Sequence, residues 1–282
     1  MKIVRDISSL RQQVRQWRSQ SETIGLIPTM GSLHDGHLSL VAQAKQECDH
    51  AIATIFVNPT QFAPHEDFET YPRDEGRDIA LLEGFDADLL FSPDVSEMYA
   101  NGFSTAVAVS GLSECLCGAA RPHFFGGVAT VVSKLLLQSL PNRAYFGEKD
   151  FQQLQVIKRM ARDLDIPVEI CGVPTVREAD GLAMSSRNKY LSPEQRALAP
   201  ALHRLLNEIA VKFAAGEDAP PLLADGIETM KSLGFDPVDY LEIRDSETLD
   251  ALAANNGNAR VFVAAYLGAT RLIDNVAAPT PA

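Results

Sequence analysis

The strongest constraint on how this chain can fold is an alternation that repeats through residues 1–174. Short apolar runs rich in β-branched and aromatic residues recur at Ile24 to Ile27, Ala51 to Val57, Asp88 to Phe91, Ala106 to Val109, Arg143 to Phe146 and Val168 to Val173. Helix-like segments separate most of them: Leu38 to Cys48, Asp74 to Glu83, Val128 to Leu140 and Phe151 to Leu164. A near-continuous apolar strand has no polar face to turn to water. Both faces of its sheet must be covered, and a parallel sheet with helical crossovers does that. The pattern predicts an α/β domain over residues 1–174, Rossmann-like, with a doubly wound parallel sheet.

After Pro174 the pattern changes. Ser192-Pro193-Glu194-Gln195 is a helix start, with Ser at the N-cap, Pro at the first helical position and Gln three after the Ser to complete a capping box. Leu198, Leu202, Leu205, Leu206, Ile209 and Phe213 then fall on one face of a single predicted helix ending at Gly216. A second helix is predicted from Pro221 to Leu233, stopping at Gly234. VDYLEIRD, ARVFVAAYLG and TRLIDN read as three strands. Residues 175–282 are thus expected to form a smaller α+β domain. The last six residues, AAPTPA, read as a disordered tail.

Charge and composition narrow the function. The 25 basic residues are outnumbered by 37 acidic ones, a net charge of -12. That balance supplies no broad cationic face for a nucleic-acid partner, so any phosphate site must be local. No run approaches the roughly 18–20 apolar residues of a membrane helix, and MKIVRDISSLRQQVRQWRSQ lacks a signal-type apolar core. The expectation is a cytoplasmic protein without a membrane partner. Cys48, Cys115, Cys117 and Cys171 are scattered, and one C-L-C spacing without a second pair is poor grounds for zinc. Reduced thiols are the simpler reading.

Residues 28 to 41 read PTMGSLHDGHLSLV. His34 and His37, three apart, would share a helix face, and such a pair can ligate zinc; but no third ligand stands near, and no H-E-x-x-H pattern follows. Packing or surface roles would serve an anonymous helix. This segment, however, follows the first predicted strand and opens a helix. Ligands of open α/β sheets bind outside the carboxyl ends of strands, where a helix N-terminus presents N–H groups and partial positive charge. Phosphate suits such a place. Gly31 and Gly36 would let the backbone approach it, and both imidazoles offer donors.

HDGH matches the H-x-G-H signature of the nucleotidyltransferase superfamily, and PTMGSLHDGH in full resembles the pantoate–β-alanine ligase (pantothenate synthetase) family. Four more blocks agree in order: FVNPTQF (56 to 62), YPRDEGRD (71 to 78), FGEKDFQQLQVI (146 to 157) and READGLAMSSRN (177 to 188), with ATRLIDN (269 to 275) closing the match. The resemblance implies ATP-dependent joining of pantoate to β-alanine through a pantoyl adenylate, with Mg²⁺. His34, His37 and Lys149 are then expected to be catalytic. ATP would meet Met30, Gly31, Ser32, Leu33, His34, Asp35, Gly36 and His37. It would also meet Gly147, Glu148, Lys149, Asp150, Val176, Met184, Ser185, Ser186 and Arg187.

The same resemblance gives Gln61 and Gln153 to pantoate, Gln61 also to β-alanine, Asp150 to Mg²⁺, and a homodimer as the assembly. It further casts residues 1–174 as the ATP- and pantoate-binding domain and residues 175–282 as a lid. Taken alone, Lys149 would be a solvated charge, MSSRN a polar turn and each Gln a surface residue. Asn58 has two readings, loop support or substrate contact.

One departure stands out. Many family members read R-P-x-H-F-x-G-V where this chain has Arg121-Pro122-His123-Phe124-Phe125-Gly126-Gly127-Val128, so Phe124 replaces the family histidine. His123, one place early, is not assigned as catalytic, and Gly126 and Gly127 suggest a flexible cover. Two other readings remain open: another H-x-G-H nucleotidyltransferase, and a tRNA-binding relative of the synthetases, against which the acidic balance argues.

Overall fold

A computed structural model of the chain describes residues 1–63 and 68–280. By contact density the chain divides into two compact units. One holds Met1–Ser113, Arg121–Glu148 and Gln153–Pro174. The other holds Glu114–Ala120, Lys149–Gln152 and Thr175–Ala282.

The elements up to Pro174 run β1 (Lys2–Val4), α1 (Ile7–Ser19), β2 (Ile24–Thr29), α2 (Asp35–Glu47), β3 (His50–Ile55), α3 (Glu75–Gly84), β4 (Leu89–Phe91), α4 (Val95–Met98), α5 (Cys117–Ala120), α6 (Phe124–Ser139), β5 (Arg143–Gly147), α7 (Phe151–Asp163) and β6 (Glu169–Val173). The six strands form one sheet in the order β1-β4-β3-β2-β5-β6, with every pairing parallel. Side chains alternate between its faces. Ile27, Ala51, Ala53, Leu90 and Tyr145 pack with Leu40, Val41 and Ala44 of α2 and Leu82 of α3. Ile24, Leu26, Ile52, Leu89, Phe91 and Ala144 point the other way and are fully buried as well. The doubly covered α/β sheet expected from the apolar runs is the fold.

Two features of this unit differ from the sequence reading. β1 and α1 precede the first strand the pattern picks out. A three-residue strand is too short to carry a period-two signal. Ala106 to Val109, expected as a strand, is irregular. Ala106 and Ala108 are exposed, and the N–H of Val107 donates to Thr130 Oγ1 (2.9 Å) on α6 instead of to a neighbouring strand. The edge of the sheet beside β4 is formed by β1.

The second unit contains α8 (Pro193–Leu198), α9 (Ala201–Ala214), α10 (Ala219–Ser232) and an antiparallel sheet of β7 (Phe235–Asp245), β8 (Ala259–Leu267) and β9 (Thr270–Ala277). The capping box is present. Ser192 Oγ accepts from the Gln195 N–H (3.2 Å), and Gln195 Oε1 accepts from the Ser192 N–H (3.0 Å). The single helix expected through Phe213 is two, because Pro200 has no N–H to donate and its ring excludes a continuous helix. Leu198, at the end of α8, is consequently exposed, while Leu202, Leu205, Leu206, Ile209 and Phe213 of α9 pack on Val261, Val263 and Leu272. The expected tail is shorter than six residues. Ala277 ends β9, and the Ala278 N–H donates to Ala259 O (2.8 Å). Pro281 and Ala282 lie outside the described residues. Among the described residues, no helix is long and apolar enough to cross a membrane.

Candidate active site

The strand order places a topological switch at β2. The chain steps from β2 to β3 to β4 on one side, then crosses back to β5 on the other. Such a reversal opens a crevice at the strands' carboxyl ends. Met30 to His34 follow β2 there, and Gly147 and Glu148 end and follow β5. The expected phosphate segment thus sits where this topology binds ligands.

The loop between β2 and α2 is held open from α3. Gly31 has φ +82°, a conformation that favours glycine, and Ser32 follows at φ +52°. The N–H groups of Ser32 and Leu33 both donate to the carboxylate of Asp78, at 2.7 and 2.8 Å. Arg77 donates to Leu33 O (3.1 Å). Asp78 is 1% exposed, and a Cβ on Gly31 would stand 3.0 Å from its Oδ2. Consecutive N–H groups in such a turn make an anion-binding concavity. Here the protein's own carboxylate fills it. Asp78 was missed in the sequence because an Asp inside a helical block looks like an exposed charge. Its signal was the position in YPRDEGRD, one turn into α3. Asp78→Ala would orphan two buried N–H groups at about 1–3 kcal/mol each, so a fall in the denaturant midpoint is expected, and an unchanged midpoint would contradict the buttress.

His34 is the N-cap of α2. Its Nδ1 accepts from the Gly36 N–H (3.1 Å), and its carbonyl accepts from the N–H of His37 (2.7 Å). Two amides at the helix start are therefore engaged by the cap, and Gly36 sits in the first turn of α2, as expected of the Asp35-Gly36 helix start. The loop and helix start thus offer a ligand fewer backbone donors than the sequence suggested. The cap also sets the chemistry of His34: with Nδ1 an acceptor, the neutral ring carries its proton on Nε2. The rings of His34 and His37 lie 4.1 Å apart, tilted by 43°. The expected pair is one cluster.

Asn58 supports the glutamine turn. It is fully buried, its Oδ1 accepts from the Thr60 N–H (3.3 Å), Thr60 Oγ1 (3.0 Å) and the Tyr99 hydroxyl (2.8 Å), and its Nδ2 donates to Gly127 O (3.1 Å) and Gln61 Oε1 (2.9 Å). Of its two readings, loop support is the one this geometry favours. The bond from Asn58 orients the buried Gln61 amide and turns its NH₂ group away. Arg121 donates to Gln61 O (3.1 Å), and its guanidinium lies 4.0 Å above the Phe124 ring. Phe124, in place of the family histidine, thus steadies the arginine that holds this turn. Gly126 and Gly127 lie inside α6, so the flexible cover expected there is instead a helix. Glycine at 127 serves close approach: a Cβ there would collide with the Thr60 carbonyl.

Lys149, in the second unit, stands in a single 3₁₀ turn (Glu148–Asp150), and α7 begins only at Phe151. The Lys149 amine is 3.7 Å from Asp150 Oδ2. Of DFQQ, Gln152 is buried, accepting from the Cys117 N–H (3.0 Å) and donating to Cys115 O (2.7 Å), while Gln153 is half-buried at the start of α7 in the first unit. MSSRN is an ordered turn. Met184 N–H donates to Val176 O (3.0 Å), Ser185 Oγ accepts from the Arg187 N–H (3.3 Å), and Asn188 donates to Glu178 Oε1 (3.0 Å) and Ala183 O (3.1 Å).

The family model described as pantoate–β-alanine ligase matches residues 2–277. The chain belongs to that family. As an enzyme it is a pantoate–β-alanine ligase, a carbon–nitrogen ligase. Among relatives of this family, the pantothenate synthetase of Paramagnetospirillum magneticum is 56% identical over 274 residues, covering 97% of this chain and 96% of that protein. The crystal structure of pantothenate synthetase from Thermus thermophilus superposes with a TM-score of 0.93 at 48% identity, covering 99% of this chain and 100% of that one. The pantoate–β-alanine ligase of Francisella tularensis, complexed with β,γ-ATP and β-alanine, gives a TM-score of 0.84 at 36% identity, with full coverage of both chains.

Proposed function

We propose that this chain performs its family's reaction, the ATP-dependent joining of pantoate to β-alanine, in two steps. In the first, a pantoate carboxylate oxygen attacks the α-phosphorus of ATP and the bond to pyrophosphate breaks. In the second, the β-alanine amine attacks the acyl carbon of the pantoyl adenylate, AMP departs, and pantothenate forms. The mixed anhydride supplies the leaving group that a free carboxylate lacks. The observation that carries the reading is the His34–His37 cluster at the switch point of the sheet, with the His34 ring fixed as an Nε2–H donor.

In this reading His34 and His37 donate to the phosphates as charge builds on them, His37 being the proton donor, and Lys149 meets the same charge. Donors aimed at developing charge lower the barrier more than ground-state grips do. The residues read as ATP contacts are Met30 to His37, Gly147 and Glu148 in the first unit and Lys149, Asp150, Val176 and Met184 to Arg187 in the second, with Ser32 and Leu33 shaping the loop through their bonds to Asp78. Residues 1–174 would bind ATP and pantoate, and residues 175–282 would act as a lid.

Gln61 and Gln153 hold pantoate, Gln61 also β-alanine; amide groups suit a substrate with one carboxylate and two hydroxyls. Asp150 fits a Mg²⁺ partner. Its side chain is 48% exposed beside Lys149, and Mg²⁺ with a nucleotide takes one or two carboxylates plus phosphate oxygens. When bound, the ion neutralises charge on the phosphates.

Three measurements bear on this reading. Incubation with ATP, Mg²⁺, pantoate and β-alanine should release AMP only when both co-substrates are present; release without pantoate contradicts the assignment. Gln153→Ala should raise the pantoate KM and leave ATP affinity unchanged, and an unmoved pantoate KM would take Gln153 out of the pocket. A cytoplasmic homodimer completes the reading. Sedimentation at twice the chain mass is expected, against single mass if it is wrong.

A further inference from the structure

The closing block ATRLIDN has no role in the chemistry above. The register of β8 and β9 sets Asp274 opposite Val263 and Asn275 opposite Phe262. Neighbouring residues of a strand point to opposite faces, so these two polar side chains leave the sheet on opposite sides. Asp274, 4% exposed, lies on the face that meets α9. It takes a two-pronged bond from Arg177 (2.7 and 2.9 Å) and stands 3.6 Å from His203 Nδ1. Arg177 in turn donates to Gly181 O (3.1 Å), inside the segment that leads into MSSRN.

Asn275, 3% exposed, lies on the other face with Phe262 and Arg260. Phe151 packs there too, its ring 5.9 Å from that of Phe262 and 3.9 Å from the Arg260 guanidinium. Asn275 Oδ1 accepts from Arg260. Its Nδ2 donates to the carbonyl of Lys149 at 2.9 Å.

We propose that Asn275 is a positioning residue for the ligation, acting by fixing the main chain of Lys149. This rests on the reading of Lys149 as a phosphate contact. A lysine amine hangs on four rotatable bonds, so only a fixed backbone keeps its reach repeatable. Misplacement of a reacting group by 1 Å costs on the order of a hundredfold in rate. The bond from Asn275 Nδ2 anchors the carbonyl of Lys149 itself, and Arg260, held by Asn275 Oδ1, covers the neighbouring Phe151.

The test is a double-mutant cycle on the adenylation half-reaction with ATP, Mg²⁺ and pantoate. Asn275→Ala removes the bonds to Arg260 and to the Lys149 carbonyl. Asn275→Asp keeps the acceptor for Arg260 and replaces the donor to Lys149, so it separates the anchor from the fold, and thermal melting reports the fold directly. Each variant should lose about ten- to a hundredfold in rate in the parent chain but less than about threefold beside Lys149→Ala, because a residue acting through the lysine has nothing left to position. Equal losses in both backgrounds, or no loss in the folded Asn275→Asp chain, would overturn the inference. Adenylation at the parent rate by Lys149→Ala alone would instead overturn the lysine reading beneath it.

Discussion

His37→Ala should slow adenylation about a hundredfold or more, the effect of about 3 kcal/mol of lost transition-state stabilisation, while ATP affinity changes far less. The reasoning starts from the loop. Asp78 and His34 engage the amides of Ser32, Leu33, Gly36 and, through the His34 carbonyl, His37. The donation attributed to this segment therefore falls mainly on the two imidazole rings, which lie 4.1 Å apart. Charge on the phosphates grows as pyrophosphate leaves, so a donor aimed there contributes most at the transition state. Single-turnover adenylation and equilibrium ATP binding separate the two effects. Equal losses in both would make His37 a ground-state binder.

Asp274→Asn should destabilise the chain by about 3–5 kcal/mol at neutral pH, the cost of breaking a buried ion pair from one side. Burial pushes the Asp274 carboxyl up, but the bonds from His203 and Arg177 outweigh it and hold its pKa below the ordinary value. A carboxylate with a lowered folded pKa stabilises the native state above its unfolded pKa of about 3.9, and that contribution disappears as pH falls through the lowered value. The gap between parent and variant should accordingly be full at neutral pH and close in acid. Urea midpoints measured across that range check it, and a gap that stays constant into acid would remove the carboxylate from the account.

How much of this was legible in the sequence follows from the reach of each interaction. The apolar runs around Ile24, Ala51, Asp88 and Arg143 disclosed a parallel sheet because burial on both faces writes itself into consecutive residues. Ser192 and Gln195 disclosed their capping box because every bond in it is local. Ala106 to Val109 looked like a strand by the same criteria, yet its Val107 N–H bonds to Thr130 on α6 and not to a strand. The break at Pro200 was available in the sequence and was outweighed by an apparently continuous apolar stripe. Asp78 and Asn275 were out of reach for a different reason: each bonds main-chain atoms far away, 46 residues from Ser32 and 126 from Lys149, and nothing local marks such a bond. Matched blocks named the candidate residues; distances showed that Asn58 and Gln152 hold other residues in place.

In the proposed reaction pantoate is activated by adenylation before the amine enters. The most direct measurement is exchange of labelled pyrophosphate into ATP with Mg²⁺ and pantoate and without β-alanine. Exchange should require pantoate and fall about a hundredfold or more in His37→Ala. Exchange that appears only when β-alanine is added, or that persists without pantoate, would contradict it.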